Sequence, residues 1–293
     1  AIDYLGKKHE KPFFLACGIY RPHMPWQVPR KYYDMYPLDK IQLPQVPDDD
    51  LDDVPAAGVR MAKPAGDHAK ILKTDNWRYS VQAYLASIAF ADVQVGRVLD
   101  ALDASPYAKN TIIVLWGDHG WHLGEKHHWR KFSLWEEATR APLMMVVPGV
   151  TKPDLRCDQA VDFMNIYPTL CELCQLPIGG YLDGVSMVPL LKDPDIIWER
   201  PALTTHGRLN HALRDNQYRL IRYRDGSEEL YDHKTDPMEW KNLADDPQYA
   251  EVKQRLAKSF PSKNALDAPN DTKQSRNQNK QRPGNKKKKS SKQ

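Results

Sequence analysis

A dense group of potential metal and anion ligands occupies residues 116–133, WGDHGWHLGEKHHWRKFS, with one Asp, one Glu, four His and three basic residues. The group follows TIIVLWG (111–117), whose β-branched run predicts a central strand buried between helices. Because open α/β sheets bind ligands beyond the carboxyl ends of their strands, we expect Asp118 and His119 in such a crevice. A carboxylate and an imidazole together suit a divalent cation. An Asp-His-Gly turn without a metal is the alternative that this short motif leaves open.

A second polar site interrupts the apolar start of the chain. Residues 13–19 predict a buried strand, and RPHMPW places His23 between two prolines just beyond it. With neighbouring strands in one sheet, four side chains are expected to meet in one crevice: His23, Asp118, His119 and Lys131. No role is predicted for the remaining histidines of the dense segment, since a polar loop normally leaves them solvated: His122, His127 and His128.

The elements that position these residues follow from the spacing of apolar side chains. An apolar stripe over 77–102 predicts a helix that Asp75 or Asn76 caps and Pro106 stops. Three further segments are predicted: a strand at 141–149, a helix at 162–176 and a long surface excursion, rich in Pro and Asp, at 34–70. Alternating strands and helices are typical of an α/β fold with a largely parallel sheet.

The pattern changes near residue 200. HALRDNQYRLIRYRDGSEELYDHKTDP predicts two or three antiparallel strands, with turns at Asp215-Asn216 and Asp225-Gly226. A short helix at about 248–259 is expected to pack on them. A small α+β subdomain with an antiparallel sheet is therefore predicted after the α/β part.

The formal charge of +4 hides an uneven distribution. Residues 272–293 hold nine Lys or Arg and no acid, so the rest of the chain has 33 basic against 38 acidic residues. The tail has almost no apolar residue and is expected to be disordered. A solvated tail is the main interpretation, and binding of a polyanion by counterion release is the alternative. No apolar run approaches the roughly 18 residues of a membrane helix.

Four cysteines do not form a disulfide framework in a chain of 293 residues. Cys171 and Cys174 lie three apart on a predicted helix, where their side chains suit a bridge poorly. Ordinary buried thiols are therefore expected, and a pair between Cys157 and one of those two is the favoured disulfide.

Three segments of the chain resemble sulfatases of the alkaline-phosphatase superfamily. They are FFLACGIYRPHMPW, GDHGWHLGEKHHWRKFS followed by EATRAPLMM, and ELYDHKTDPMEWKNLA. The resemblance extends from residue 1 to about residue 260, in the same order. Most sulfatases carry Asp-Asn at the metal, and Asp118-His119 follows the iduronate-2-sulfatase branch instead.

The resemblance implies a fold and a set of roles. The fold would be an alkaline-phosphatase-like sheet flanked by helices and incomplete at the N-terminus. The chain would have three parts: the C-terminal part of the α/β domain at 1–200, the small antiparallel-sheet subdomain at 201–262 and the disordered basic tail at 263–293. Asp118 and His119 would be ligands of Ca²⁺. His23 and Lys131 would hold the sulfate, one of them helping to protonate the leaving alcohol. Trp121 would form a wall for a sugar ring, with an exposed structural Trp as the alternative.

The nucleophile of the family is not found in the printed sequence. Sulfatases use a formylglycine made in a Cys/Ser-x-Pro/Ala-x-Arg motif, and CGIYR from Cys17 to Arg21 has Ile19 where Pro or Ala is required. The chain is therefore expected to be a C-terminal portion, inactive alone, whose sheet has an uncovered apolar face. A phosphoester or phosphonate hydrolase and a non-catalytic polyanion-binding remnant are the alternatives to a sulfuric ester hydrolase.

The resemblance also implies partners and a location. Sulfated saccharides would be the substrates and the N-terminal half a partner, with no specific nucleic-acid recognition and no membrane span. An exported setting, periplasmic, lysosomal or secreted, follows from the family alone, and no signal peptide is recognised in AIDYLGKKHEKPFF.

Overall fold

A helix of 27 residues, Trp77–Asp103, dominates the first half of the computed structural model, which describes residues 1–267. Of the predicted stripe, Val81 and Leu102 are buried whereas Ile88 and Leu99 are exposed, and Asn76 is the residue at the N-cap. Ala86 and Ala89 on this helix pack against the buried ring of Tyr32. The sequence-based prediction of this helix is therefore confirmed, and its N-terminus lies beside the dense segment.

The helices within residues 1–260, which form one compact unit, are mostly short. Two of those before the long helix begin in the segment 34–70, which was expected to be a surface excursion. That expectation was wrong, because Val54 and Ala62 belong to a buried core. In chain order, the α-helices are α1 (Ile2–Leu5), α2 (Arg30–Tyr33), α3 (Ala56–Ala62), α4 (Asp67–Lys73), α5 (Trp77–Asp103), α6 (Glu136–Thr139), α7 (Ile166–Leu173), α8 (Val188–Lys192) and α9 (Ala250–Ala257). Short 3-10 turns occur at Leu38–Lys40, Glu125–His127, Phe163–Asn165 and Pro247–Tyr249.

Three sheets form among the described residues, and all their pairings are antiparallel. The expected parallel sheet is therefore not found. A parallel pair needs a crossover connection, whereas the segment between β1 and β4 holds a short hairpin with the 3-10 turn Glu125–His127 and the four-residue α6. The strands are β1 (Ile113–Trp116) paired with β4 (Leu143–Val146), β2 (His122–Leu123) with β3 (Trp129–Arg130), and the ordered sheet β5 (Ala202–Thr205), β6 (His211–Arg214), β7 (Tyr218–Arg222) and β8 (Glu228–Asp232).

The apolar segment 13–19 contains no strand in this structure. Phe14 is 82% exposed, so the segment is also not buried as expected. An apolar run becomes a strand only when another strand accepts its backbone hydrogen bonds, and β1 and β4 pair with each other instead. The predicted position of His23 at a strand end is therefore incorrect.

The β1–β4 sheet presents apolar side chains to solvent. Met144 and Val146 are 56% and 53% exposed, and Leu115 and Ile113 stand opposite them. Directly opposed residues lie on one face of a sheet, so these four side chains form a continuous apolar strip. The expectation of an uncovered apolar face agrees with this strip.

The sheet β5–β8 is covered on both faces. Leu220 and Leu230 are paired residues that pack against Leu256 of α9. On the opposite face, Ile221 and Tyr231 pack against Trp135. The predicted antiparallel strands, their two turns and the final helix are thus confirmed, and the sheet supports the segment that follows the dense ligand group.

Charged residues are buried between this sheet and the segment 134–136. Arg219, 2% exposed, forms ion pairs with Glu239 at 2.6 Å and with Glu136. Glu229, fully buried, accepts three hydrogen bonds, from Trp135 Nε1 at 2.7 Å and from the hydroxyls of Tyr223 and Tyr231 at 2.5 Å each. Buried charges are stable only when they are paired and hydrogen-bonded, so these contacts fix the sheet on the segment.

The remaining predictions concern boundaries, cysteines and membranes. The first compact unit ends at Phe260, residues 261–267 contain no helix or strand, and the tail from residue 268 lies outside the described residues. The boundary at residue 200 stays a prediction. All four cysteines are free, so the favoured disulfide is not formed. The expected burial of the thiols was wrong for all but Cys171, since the other three are exposed. Among the described residues, no helix has the length and apolarity that crossing a bilayer requires.

Candidate functional site

Trp121, which is 7% exposed, is the centre of the candidate site. Three of the four side chains that were expected to meet surround it: His23 and His119 with ring centroids 6.2 and 6.1 Å away, and Lys131 with Nζ 6.0 Å above the ring. Asp118 is adjacent to His119. Two rings that the sequence had not singled out complete the group, Trp26 in edge contact at 6.0 Å and Tyr84 of α5 stacked at 6.0 Å.

The Asp118–His119 pair follows β1 directly. Gly117 N donates to Pro142 O at 3.0 Å, which closes the end of the β1–β4 pair and turns the chain. Asp118 is then exposed, whereas the His119 side chain is three-quarters buried, and Oδ2 of Asp118 lies 3.4 Å from Nε2 of His119. The pair is thus open on the carboxylate side.

One hydrogen bond fixes the tautomer of His119. Nδ1 lies 2.7 Å from the carbonyl oxygen of Gly120, and a carbonyl only accepts, so Nδ1 carries the proton. In the neutral imidazole, Nε2 then carries a lone pair that points toward the Asp118 carboxylate. Two acceptors at 3.4 Å suit a shared cation, and metal-bound histidines commonly donate their other N–H to a carbonyl. These two residues fit a metal ion, but of the pair only Asp118 offers oxygens, which are a small part of the six to eight that Ca²⁺ prefers.

His23 is held by its own loop. Nδ1 lies 2.7 Å from Met24 O and 2.9 Å from the Tyr20 hydroxyl, which itself donates to Met24 O. Nδ1 must therefore donate to the carbonyl, which leaves Nε2 as the atom that can accept or, once protonated, donate. Arg21 braces the loop by donating to His23 O at 3.2 Å and Gln27 O at 3.0 Å.

Trp121 itself offers little free surface. Its ring is almost entirely covered by its neighbours, and its Nε1 is buried without a hydrogen-bond partner in the described part of the chain. The ring therefore acts as a packing platform in this structure, and the sugar-facing wall expected from the resemblance stays a prediction.

Two glycines shape the loop around the platform. A Cβ on Gly120 would lie 2.1 Å from Glu137 O, so only glycine allows α6 to approach this closely. Gly124 has φ +132°, and a Cβ there would lie 2.4 Å from Cζ2 of Trp77. Trp77, the first residue of α5, donates from Nε1 to Leu123 O at 2.6 Å and ties the loop to the long helix.

The remaining histidines of the segment are not solvated, contrary to expectation. His122 is completely buried and bonded to Ser133 Oγ at 2.8 Å, and burial lowers its pKa to about 3. His128 is 6% exposed and donates from Nδ1 to Ala62 O at 2.7 Å. His127, half-buried, contacts Pro47 O at 3.1 Å. The tight loop folds back onto α3 and its flanks, so these histidines are structural.

Glu137 of α6 is a titratable group near the platform that the sequence did not reveal. Burial, followed by the nearby carboxylates of Glu125, Glu239 and Glu136, raises its pKa to about 7. Burial, followed by Glu137 and Glu125, also raises the pKa of Tyr84 to about 12. The shift depends on acids that are distant in sequence, so no local signal predicts it.

In a second cluster of metal-type ligands, the guanidinium of Arg219 already pairs with the carboxylates. Ligand atoms of Glu136, His233 and Glu239 lie within 4.8 Å of one another. Burial alone would raise the pKa of Glu239, but Arg219 and His233 outweigh it and hold the pKa at about 2. Because the guanidinium bridges both carboxylates, the cluster is an ion-pair network and not a candidate metal centre.

Comparison with known families identifies the chain. A family model described as Sulfatase matches residues 1–176, and one described as N-sulphoglucosamine sulphohydrolase, C-terminal, matches residues 124–265. The chain therefore belongs to the sulfatase family. It has the alkaline-phosphatase-like fold of sulfatases, with the antiparallel four-stranded sheet at its C-terminal end.

Individual relatives agree with this membership. The chain is 42% identical to a sulfatase of Formosa agariphila over 268 residues, 90% of this chain and 52% of that protein. It is 34% identical to mouse iduronate 2-sulfatase over 59% of this chain and 37% of that protein. A phosphonate monoester hydrolase from Silicibacter pomeroyi has a TM-score of 0.68 at 25% identity, covering 81% of this chain and 53% of that one. The chain thus spans about half the length of the relatives it matches, or less.

Proposed function

We propose that this chain supplies one part of the active site of a calcium-dependent sulfuric ester hydrolase of the iduronate-2-sulfatase type, acting on sulfated saccharides. Membership of the sulfatase family and the similarity to iduronate 2-sulfatase support the reaction class. The observation that carries the proposal is the pairing of Asp118 Oδ2 with the lone pair of His119 Nε2 at 3.4 Å. An exported location remains part of this proposal.

The residues around Trp121 have complementary roles in this proposal. Asp118 and His119 would hold Ca²⁺, which when bound would supply positive charge to a sulfate oxygen. Lys131 adds a fixed positive charge, and Nε2 of a protonated His23 would donate a proton to the leaving alcohol. A sulfate ester gains negative charge on its bridging oxygen as the S–O bond breaks, so fixed donors stabilise the transition state more than the ground state.

The nucleophile must come from outside the printed residues, because none of them matches the formylglycine motif. We therefore expect the 293-residue chain alone to hydrolyse neither an aryl sulfate nor an aryl phosphate. Parallel fluorogenic assays of both esters measure this. Turnover of the sulfate would contradict the expected inactivity. Turnover of the phosphate alone would favour the phosphoester or phosphonate hydrolase, for which the fold of the Silicibacter pomeroyi enzyme is the supporting observation.

The metal role has its own test, which needs no turnover. Ca²⁺ at millimolar concentration is expected to raise the Tm of the chain, because a ligand that binds only the folded state stabilises it. Asp118→Asn removes a formal charge from the site and is expected to abolish most of this shift. Asp103→Asn, a change of equal charge at an exposed residue of α5, is the matched control. An equal Ca²⁺-dependent shift in wild type and Asp118→Asn would overturn the proposal.

A further inference from the structure

The loop of residues 122–130 joins Trp121 to Lys131, two residues of the candidate site. It contains the β2–β3 hairpin, and three of its non-glycine residues have positive φ. They are Lys126 at +54°, His127 at +47° and Arg130 at +79°. Non-glycine residues in this region of φ are strained, so contacts with the rest of the chain must hold the loop in its conformation. A loss of those contacts would displace the residues at both ends of the loop.

His68 of α4 holds the loop through one buried hydrogen bond. Trp129 Nε1 donates to His68 Nδ1 at 3.1 Å, and the two residues are only 4% and 5% exposed. An indole N–H only donates, so Nδ1 of His68 is unprotonated and the single proton of its ring is on Nε2. The hydrogen bond therefore exists only for a neutral imidazole.

The surroundings of His68 oppose its protonation. Its ring is enclosed by the rings of Trp77 on α5, at 5.3 Å between centroids, and of His127 in the loop, at 5.1 Å. Burial, followed by His127, lowers the pKa of His68 to about 4. A proton on Nδ1 would also place two donors against each other, so it would remove the bond to Trp129.

The charged contacts between the loop and α4 do not compensate for this loss. Asp67, next to His68 on α4, pairs with Arg130 of the loop at 2.7 Å and lies 4.0 Å from Lys70. Asp67 does not raise the pKa of His68. Both ion pairs are partly exposed, and such pairs contribute little to stability. The Arg130 pair alone is therefore too weak to keep the strained loop closed.

His128 in the loop is held in the same state. Its Nδ1 donates to Ala62 O at 2.7 Å, and its buried Nε2 has no hydrogen-bond partner in the part of the chain that the structure describes. A proton on Nε2 would be a buried donor without an acceptor. Burial lowers the pKa of His128, as do Lys63 and His206, whereas the bond to Ala62 O and the carboxylate of Asp67 raise it. Protonation of His128 is thus also unfavourable while the loop is closed.

We infer that the 122–130 loop is an acid-sensitive latch of the candidate site, in which a proton on His68 Nδ1 breaks the bond to Trp129 and releases the loop. Because Trp121 and Lys131 flank the loop, the site is assembled at neutral pH and reversibly dismantled in acid. The latch needs neither substrate nor metal, and only its effect on hydrolysis rests on the proposed function.

The direction of the pH dependence follows from linkage. The pKa of His68 is about 4 in the closed loop, against an ordinary value of 6.5 once the loop is open. The stabilisation of the closed loop is therefore complete above pH 6.5 and is lost as the pH falls towards 4.

Hydrogen exchange measured by mass spectrometry tests the latch in the 293-residue chain, between pH 7 and 4.5 in EDTA. After correction for intrinsic exchange, the opening constant of peptides from 122–130 should rise by up to tenfold per pH unit below pH 6.5, since opening takes up one proton. Peptides that contain Trp121 and Lys131 should follow. Peptides from β7 and β8 should show no such rise, and an equal rise there would mean global unfolding and overturn the inference.

His68→Asn isolates the titrating group. Its Oδ1 can accept from Trp129 Nε1 as Nδ1 does, but it takes up no proton. The rise in the opening constant between pH 6.5 and 4.5 should be at least tenfold smaller than in the wild type. The measured quantity is this rise and not the absolute level, so a general loss of stability does not imitate the result.

His9→Asn is the matched control, because His9 lies far from the loop in the sequence and contacts Tyr4 O. It should show the same rise as the wild type. The same rise in His68→Asn, or none in the wild type, would overturn the inference. These outcomes are independent of the Ca²⁺-dependent Tm shift of Asp118→Asn, which tests the proposed function.

Discussion

At the scale of single residues, hydrogen bonds to backbone carbonyls decide which atoms can do chemistry. Gly120 O fixes the proton of His119 on Nδ1, and Met24 O does the same for His23. Both Nε2 atoms are thereby left for a metal or a substrate. This is the outer-shell support that metal-binding and catalytic histidines commonly have. The loops are therefore part of the site as much as the side chains that they carry.

Glu137 gives a prediction at this scale. Its pKa is about 7 in the folded chain against an ordinary value of 4.5, so folding takes up a proton between these pH values. The free energy of unfolding therefore falls as pH rises through this window. Glu137→Gln, which cannot ionise, should raise the free energy of unfolding at pH 8 by about 1–2 kcal/mol and leave it unchanged near pH 4, the amount being discounted for partial exposure.

Urea unfolding of wild type and variant at both pH values measures this. Glu172→Gln, at an exposed residue of α7, is the control and should change neither value. A Glu137→Gln variant with the same pH dependence as wild type would show that another group causes the loss.

Part of the group around Trp121 could be predicted from the sequence. The sequence predicted that His23, His119 and Lys131 lie together, and each of them contacts the Trp121 ring, although no strand precedes His23. Tyr84 was recognised only as part of a helical stripe, and Glu137 was not recognised at all. Both owe their place to contacts between α5, α6 and the loop, which local patterns do not encode.

At the scale of elements, Gly124 joins the long helix to the loop of the site. Gly124→Ala should lower the free energy of unfolding by about 3 kcal/mol or more, because a Cβ would meet Trp77 at 2.4 Å and φ is +132°. Gly226→Ala is the matched control, since its φ is +87° and nothing lies within 4 Å of its Cβ. It should lower the free energy of unfolding by only about 1 kcal/mol of backbone strain.

Thermal or urea unfolding of both variants separates the two effects. Equal destabilisation would mean that backbone conformation, and not the contact with Trp77, makes glycine necessary at position 124.

Element predictions succeeded where the pattern is local. The stripe over 77–102 and the turns at Asp215-Asn216 and Asp225-Gly226 are properties of short windows, and α5 and the β6–β7–β8 hairpins follow them. The predicted strand at 13–19 and the predicted parallel sheet were wrong. Both depend on which distant segment accepts the backbone hydrogen bonds, and this is a property of the assembled sheet.

At the scale of the whole molecule, the exposed strip on β1 and β4 is expected to drive self-association. Contiguous apolar patches on a surface favour contacts between molecules. The double change Met144→Thr and Val146→Thr keeps strand propensity and should reduce dimers and larger species in sedimentation velocity, with Tm nearly unchanged because both side chains are more than half exposed.

Met145→Thr on the opposite face is the control. Met145 is less exposed than its neighbours, so its replacement should lower the Tm and leave self-association intact. Unchanged association of the double variant would mean that another surface holds the molecules together.

Arg219 has a consequence for where this protein can be shortened. The sequence pattern suggests a break near residue 200, yet Arg219 lies beyond that point and forms an ion pair with Glu136. Glu136 is the first residue of α6, the helix whose Ala138 O accepts a hydrogen bond from Gly120 N. A fragment ending at residue 200 would lose this guanidinium together with the sheet, and would expose Trp135, which is 1% exposed in the whole chain. Residues 1–260 are therefore one structural unit, and insertions should be better tolerated in the β6–β7 and β7–β8 turns than near residue 200.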